Sequence, residues 1–249
     1  MLRERRFEYI IKGLETKDLL TYEDMALGTG VSEDTIRRDV DLLHKNGLLS
    51  KVRGGAMKRS KNPLTFQDRN THLKDEKRII ALKSQQFIHD GMTIFMDGGT
   101  TICAIVNYLP INSRLRIVTS NVMLVPILAN YPNVELVLLG GQLNKETAST
   151  VGAAAAAQVE DYVADLYLMG TCGVDTAFGV SAVVAEDAVV KRAMVKSAKL
   201  IVALANQERL GLGEPFKICP LDKVDVLITN LDTTDEILDP FRNQSLTLI

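Results

Sequence analysis

Two groups of residues in this chain have the types and spacing to do chemistry. The first is Ser32, Thr35, Arg37 and Arg38, within Ser32-Glu33-Asp34-Thr35-Ile36-Arg37-Arg38. An arginine held against a DNA major groove donates two hydrogen bonds to guanine O6 and N7, and a serine or threonine at a helix start bonds a phosphate or a base edge. The second is Asp97-Gly98-Gly99-Thr100-Thr101. Its glycines let the backbone approach a ligand, N–H groups at a helix start attract an anion, and the threonine hydroxyls add donors, which together suit a phosphate. Taken alone, paired arginines also fit a solvated helix face, and a glycine-rich loop also fits plain turn geometry.

The elements around the first group narrow its meaning. Phe7, Ile10, Ile11 and Leu14 recur at helical spacing, and Thr21 can cap a short second helix with Met25 and Ala26 on its inner face. Gly28 and Gly30 interrupt the pattern. Ser32 is then a good N-cap, and Glu33 and Asp34 fall where the helix dipole favours negative charge, so a third helix starts at about residue 33. Ile36, Val40 and Leu43 must face inward, which turns Thr35, Arg37, Arg38 and Asp41 in other directions. After Asn46-Gly47 and Leu48-Leu49, the run Lys51-Val52-Arg53-Gly54-Gly55-Ala56 with Lys58, Arg59 and Lys61 reads as a two-stranded basic hairpin. Three short helices with a glycine turn and a following hairpin make a winged helix-turn-helix, whose partner is double-stranded DNA. Lys51, Arg53 and Lys58 would meet backbone phosphates, giving affinity without sequence information.

Residues 60–73 are polar and contain Pro63, which places the connection there, between a DNA-binding domain over 1–59 and a second domain over 74–249. A helix is predicted over 74–89. Short β-branched runs follow at 93–96, 115–119, 134–139, 166–169, 200–204 and 224–229, separated by helical stretches that include the alanine run at 153–157. Strands apolar on successive residues and separated by helices imply an α/β domain with a mainly parallel sheet covered on both faces. The glycine loop at 97–101 then lies at the end of the first of these strands. Ser120 and Asn121, Gly140 and Gly141, and Gly173 and Asp175 lie at or just beyond the ends of later strands, where ligands bind in open parallel sheets. In Glu186-Asp187-Ala188-Val189-Val190-Lys191, the spacing puts Glu186 at a helix start and Lys191 about a turn and a half later; ordinary cap and surface charge is the alternative.

Composition excludes several classes. The 249 residues are 46% hydrophobic, enough for a sizeable core, but no apolar run approaches the roughly 18 residues of a membrane span. A cytoplasmic protein is expected. Cys103, Cys172 and Cys219, and likewise His44, His72 and His89, are scattered, so no disulfide framework, metal site or cofactor is expected. Net charge is −2, divided unevenly: +3 over residues 1–61 and −5 over the rest. A head this weakly basic gains useful affinity for DNA when two or more copies are held together, so a homo-oligomer, dimer or tetramer, is expected.

The chain closely resembles the DeoR family of bacterial sugar-responsive transcriptional regulators. The resemblance runs through Gly30-Val31-Ser32-Glu33-Asp34-Thr35-Ile36-Arg37-Arg38-Asp39-Val40, Gly47-Leu48-Leu49 and Arg53-Gly54-Gly55-Ala56, and continues through nearly the whole chain. It implies a Rossmann-like second domain similar to ribose-5-phosphate isomerase and the coenzyme A transferases, and a repressor of a sugar-metabolism operon released by a phosphorylated sugar or related metabolite. By the same resemblance Asp97, Gly98, Gly99, Thr100 and Thr101 would cradle the phosphate, while Asp175, Glu186 and Lys191 would meet or frame the sugar. Two places depart from the family pattern: Arg53 stands where a histidine is frequent, and Asn206-Gln207-Glu208-Arg209 where many members have Asp-Ser-Ser-Lys. The fold likeness also admits an isomerase, with Glu186 or Asp97 removing a proton and Lys191 stabilising an enediolate. An isomerase has no use for the first sixty residues, so a non-enzyme is expected. A DNA-binding protein whose larger domain only oligomerises is the third reading.

Overall fold

The computed structural model describes residues 2–17, 19–45, 49–52, 54–58 and 66–249. Arg53 and the Lys58 side chain, both expected on the wing, lie outside the described residues, as do Asn46, Gly47 and Leu48 of the expected turn.

The N-terminal domain comprises α1 (Arg3–Thr16), β1 (Leu19–Thr21), α2 (Tyr22–Thr29), α3 (Glu33–Lys45), β2 (Leu49–Val52) and β3 (Gly55–Lys58). Ile36, Val40 and Leu43 form one fully buried stripe of α3, packed with Ile10, Leu14 and Met25, as helical spacing requires. The Thr21 hydroxyl accepts the Asp24 N–H at 3.0 Å and caps α2. That helix stops at Gly30, whose φ of 68° is the left-handed conformation that side chains disfavour. Arg6 of α1 donates to both carboxylate oxygens of the buried Asp39, at 2.6 and 3.2 Å, and so fixes α3 against α1. The wing differs from the expected two-stranded hairpin: β1 joins it in the order β1-β3-β2, with Leu20 opposite Ala56. Three residues are too few to show the alternation that marks a strand. The close approach depends on Gly55, where a Cβ would stand 2.1 Å from the Leu20 carbonyl oxygen.

The C-terminal domain opens with α4 (Phe66–Thr71), a helix inside the stretch expected to be a connection, and α5 (Lys74–Ser84). Then follow β4 (Thr93–Met96), α6 (Thr100–Val106), β5 (Leu115–Thr119), α7 (Leu124–Leu128), β6 (Val134–Leu138), the hairpin β7 (Gln142–Asn144) and β8 (Ser149–Val151), and α8 (Ala153–Val159). The chain continues through β9 (Leu166–Gly170), β10 (Gly173–Asp175), β11 (Gly179–Ala182), α9 (Ala185–Lys196), β12 (Ile201–Leu204), β13 (Phe216–Cys219), β14 (Val226–Ile228), α10 (Asp239–Arg242) and β15 (Thr247–Leu248). Seven strands form one sheet in the order β15-β14-β12-β9-β4-β5-β6, and every neighbouring pair in it is parallel. Burial explains why its strands read as unbroken apolar runs: Ile94 and Met96 pack with α5 and α6 on one face, while Phe95 packs with α8 and α9 on the other. A second sheet, β10-β11-β13, is antiparallel.

The topology marks a ligand-binding place. From β4 the chain builds outward through β5 and β6, then returns to the opposite side of β4 for β9, β12 and β14. The order reverses between β4 and β9, and in open α/β sheets the crevice beyond the strand ends at such a point is where ligands bind. Asp97 follows β4 there, and Gly170 ends β9.

Candidate functional site

On the N-terminal domain, Ser32 caps α3 as expected: its hydroxyl lies 3.0 Å from the Thr35 hydroxyl and 3.4 Å from the Thr35 N. Arg37 and Arg38 are exposed on the first half of the same helix. Arg37 is partly held in place, with Nη2 3.2 Å from Glu33 Oε2 and its guanidinium 4.4 Å from the centre of the Tyr22 ring. Arg38 has no hydrogen-bond or ion-pair partner among the described residues, so its five donors face solvent. Lys51 on β2 is paired with Asp41 of α3, and that hydrogen bond raises its pKa. The surface therefore presents one pre-positioned arginine, one unengaged arginine and a lysine held by an acid.

In the C-terminal domain a cavity of about 170 Å³ sits at the switch point. Of the expected residues, Gly98, Gly99, Thr100, Thr101 and Lys191 line it. Gly98 is required by proximity, since a Cβ there would stand 2.1 Å from the Ser149 hydroxyl. Gly99, with φ of 144°, leads into α6. Asp97 is not in the wall but beneath it, fully buried. Its Oδ1 accepts the Gly170 N–H at 2.9 Å, and its Oδ2 accepts the Tyr167 hydroxyl at 2.6 Å and Lys191 Nζ at 2.5 Å. Lys191 also donates to the Gly170 carbonyl at 2.9 Å and stands 3.9 Å from Asp187 Oδ2. Two buried carboxylates thus share one ammonium. Burial outweighs the attraction of Lys191 and moves the Asp97 pKa up to about 6, while burial likewise raises that of Asp187. Burial opposes the charge on Lys191, but Asp97 and Asp187 together overcome it and hold its pKa up.

The other expected residues stand elsewhere. Glu186 is exposed at the start of α9 and outside the cavity wall, because the helix turns its successor Asp187 inward. Asp175 caps a turn, accepting the N–H groups of Ala177 and Phe178 at 2.8 and 2.9 Å, and Gly173 is a β10 residue paired with Ser181. Ser120 and Asn121 are buried; the Asn121 amide donates to the Gly99 carbonyl at 3.2 Å and supports the loop from behind. The Gly140 N–H bonds the Gln158 side chain, and neither it nor Gly141 lines the cavity. Lying at a strand end proved insufficient: among the described residues the segments after β4, β9 and β12 reach the cavity, and those after β5, β6 and β10 do not.

Sequence reasoning missed a cationic wall. Arg69 of α4, Lys77 of α5 and Arg209 line the cavity together with His72 and Asn206. Lys77 Nζ donates to the Arg69 carbonyl and, at 2.6 Å, to the His72 carbonyl. Burial, then the charges of Arg209 and Arg69, bring its pKa down to about 8. Arg69 donates to the Glu146 carbonyl at 2.7 Å, the Thr100 hydroxyl bonds the Arg69 carbonyl at 3.4 Å, and His72 Nε2 meets Glu208 Oε2 at 2.8 Å. The segment that departs from the family pattern is therefore part of the wall. Arg209 keeps a positive charge there, and Asn206 Oδ1 caps the Glu208 N–H at 3.1 Å, a bond an aspartate would also make. Arg69 and Lys77 carried no sequence signal beyond charge, because they precede the first strand of the sheet.

Comparison with known proteins assigns both parts. Residues 6–62 match the DeoR-like helix-turn-helix domain, and residues 73–231 match the DeoR C terminal sensor domain. The chain belongs to the DeoR family. It is similar to the HTH-type transcriptional repressor GlcR of Bacillus subtilis (strain 168), 29% identical over 232 residues that cover 92% of this chain and 89% of that protein. It is also similar to the glycerol-3-phosphate regulon repressor of Escherichia coli (strain K12), 26% identical over 231 residues, 92% of each chain. Among solved structures, ribose 5 phosphate isomerase A from Neisseria gonorrhoeae aligns with a TM-score of 0.40 and 18% identity, over 59% of this chain and 55% of that one. The DeoR-family assignment makes the N-terminal domain DNA-binding, the C-terminal domain a sensor and the chain a transcriptional regulator. No helix among its described residues is long and apolar enough to cross a membrane.

Proposed function

We propose that this DeoR-family regulator is a cytoplasmic repressor of sugar-metabolism genes, and that a phosphorylated sugar or related metabolite bound in the switch-point cavity releases it from its operator. The observation that carries this reading is the crowding of Arg69, Lys77 and Arg209 on one wall beside the glycine loop. The charges of Arg69 and Arg209 each disfavour the ammonium of Lys77, a repulsion that a bound dianion would relieve. The similar proteins are named as repressors, one of a glycerol-3-phosphate regulon.

Release follows from position. Arg69 and His72 lie on the segment leading from the DNA-binding domain, and an anion drawn between them and Arg209 acts on that segment. A ligand that prefers one placement of the heads shifts the population towards it. A head with net charge +3 over residues 1–61 needs a second copy to hold an operator, so a homo-oligomer sets the spacing of Arg37 and Arg38 on the duplex. The test adds a panel of phosphosugars to a preformed complex with DNA selected from a random pool, followed by fluorescence anisotropy. At least one phosphosugar should dissociate the complex, and the matching unphosphorylated sugar should not. A complex that none of the panel dissociates would sink the proposal.

A further inference from the structure

One wall of the cavity holds a feature that anion binding leaves unexplained. Asp187 on α9 is 4% exposed and lines the cavity, yet its Oδ1 has no hydrogen-bond partner among the described residues. Its other oxygen, Oδ2, stands 3.9 Å from Lys191, whose ammonium is already committed to Asp97 and the Gly170 carbonyl. A buried acceptor left unpaired is destabilising, and side chains in this state are retained where something else supplies the donor. A fully ionised phosphate monoester group cannot do so: its oxygens carry no hydrogen and would meet the carboxylate as like charges. A hydroxyl can, donating its hydrogen to Oδ1 while its oxygen turns towards Lys191.

The cavity therefore has two poles of opposite preference. Arg69, Lys77 and Arg209 favour a dianion, and Asp187 disfavours one. We propose that Asp187 is a specificity-determining residue of the sensor: it accepts a hydrogen bond from a hydroxyl of the effector, so phosphates that offer no hydroxyl at that position are poor ligands. This rests on the reading of the cavity as the effector site. Asp187 follows the exposed Glu186, and its inward direction is set by α9, whose neighbouring residues Ala188, Val190 and Lys191 are also buried.

The test uses the full chain and calorimetry with methyl phosphate, glycerol 3-phosphate, glucose 6-phosphate and fructose 6-phosphate. The wild type should bind at least one hydroxyl-bearing ester more tightly than methyl phosphate by about tenfold to a hundredfold, because rejecting a ligand that leaves a buried polar group unpaired is efficient. Asp187→Ala should reduce that preference to within about threefold, weakening the hydroxyl-bearing esters and not methyl phosphate, and the isosteric Asp187→Asn should fall between. Unfolding midpoints confirm that the variants are folded, and Asp187→Asn, which keeps the shape of the side chain, decides where Asp187→Ala does not fold. Equal weakening of every ligand in Asp187→Ala assigns Asp187 a structural role and overturns the proposal, as does an unaltered preference. A wild type that binds all four equally overturns the role of Asp187 but leaves phosphate sensing standing. A wild type that binds none of them removes both.

Discussion

Arginine and lysine do different work at the two ends of this molecule. On the DNA-binding domain they sit in water: Arg37 and Arg38 are exposed, and Lys51 and Asp41 are paired with both side chains roughly half exposed. In the sensor they are enclosed: Lys191 is 2% exposed, Lys77 6% and Arg209 8%. An exposed cation contributes little to stability because solvent screens it, and for the same reason it is available to meet a DNA phosphate or a base edge. A buried cation pays for desolvation and must be offset. Lys191 is offset within the protein by Asp97 and Asp187, whereas Lys77 is offset by two carbonyls and opposed by two arginines. On the proposed function, charges that meet a macromolecule are kept in water, and those that meet a small anion are enclosed, where mutual repulsion favours its binding.

The largest effect that separates the two ends is on stability. Asp97→Ala leaves Lys191 buried with a more distant acid and should cost about 3–5 kcal/mol, read from denaturant unfolding. Arg38→Ala should change stability by no more than about 0.5 kcal/mol. A comparable loss from both would erase the contrast. On DNA the order reverses: Arg38→Ala should weaken operator binding by about 1–3 kcal/mol and relax sequence preference, while Asp97→Asn, if folded, should leave it unaltered. Uniform loss on specific and random duplexes would show that α3 does not read bases.

Smaller effects sharpen the comparison. With a pKa of about 8, Lys77 loses its proton as pH rises from 7 to 9, so phosphosugar affinity should fall by up to about tenfold over that range. Its unfolded-state value is 10.5, which means the unfolded chain holds the proton longer and the unliganded protein gains stability between about pH 8 and 10.5. Lys77→Met should flatten this pH dependence; an unchanged profile would place the titrating group elsewhere. Smallest of all, Lys51→Ala should weaken every duplex about equally and lower the salt slope by about one, since a phosphate contact carries no sequence information.

What the sequence made legible follows the same division. The helix-turn-helix was readable because local rules set it: a Ser32 cap, the Ile36, Val40 and Leu43 stripe and the Gly30 stop each act over a few residues. Six of the seven strands of the parallel sheet were readable because two-sided burial leaves continuous apolar runs; the two-residue edge strand β15 was too short to show one. Strand β1 was not, since its three residues are ordered by Gly55, more than thirty positions away. The site was half legible. The glycine loop announced itself, but Arg69, Lys77 and Asp187 reach the cavity through the packing of α4, α5 and α9, and Glu186 rather than Asp187 was expected because spacing along one helix does not reveal which residue turns inward. Glycines 140 and 141 and Asp175 showed that a strand-end position gains meaning only from strand order.

The most direct test of the account is a DNA-release titration on a double variant, Lys77→Met with Arg209→Met, beside the wild type. A phosphosugar that dissociates the wild-type complex should leave the variant bound at concentrations at least about a hundredfold higher, with operator affinity in the absence of ligand unchanged. Release of the variant at the wild-type concentration would contradict the claim that the cationic wall of the switch-point cavity is where this regulator senses its effector.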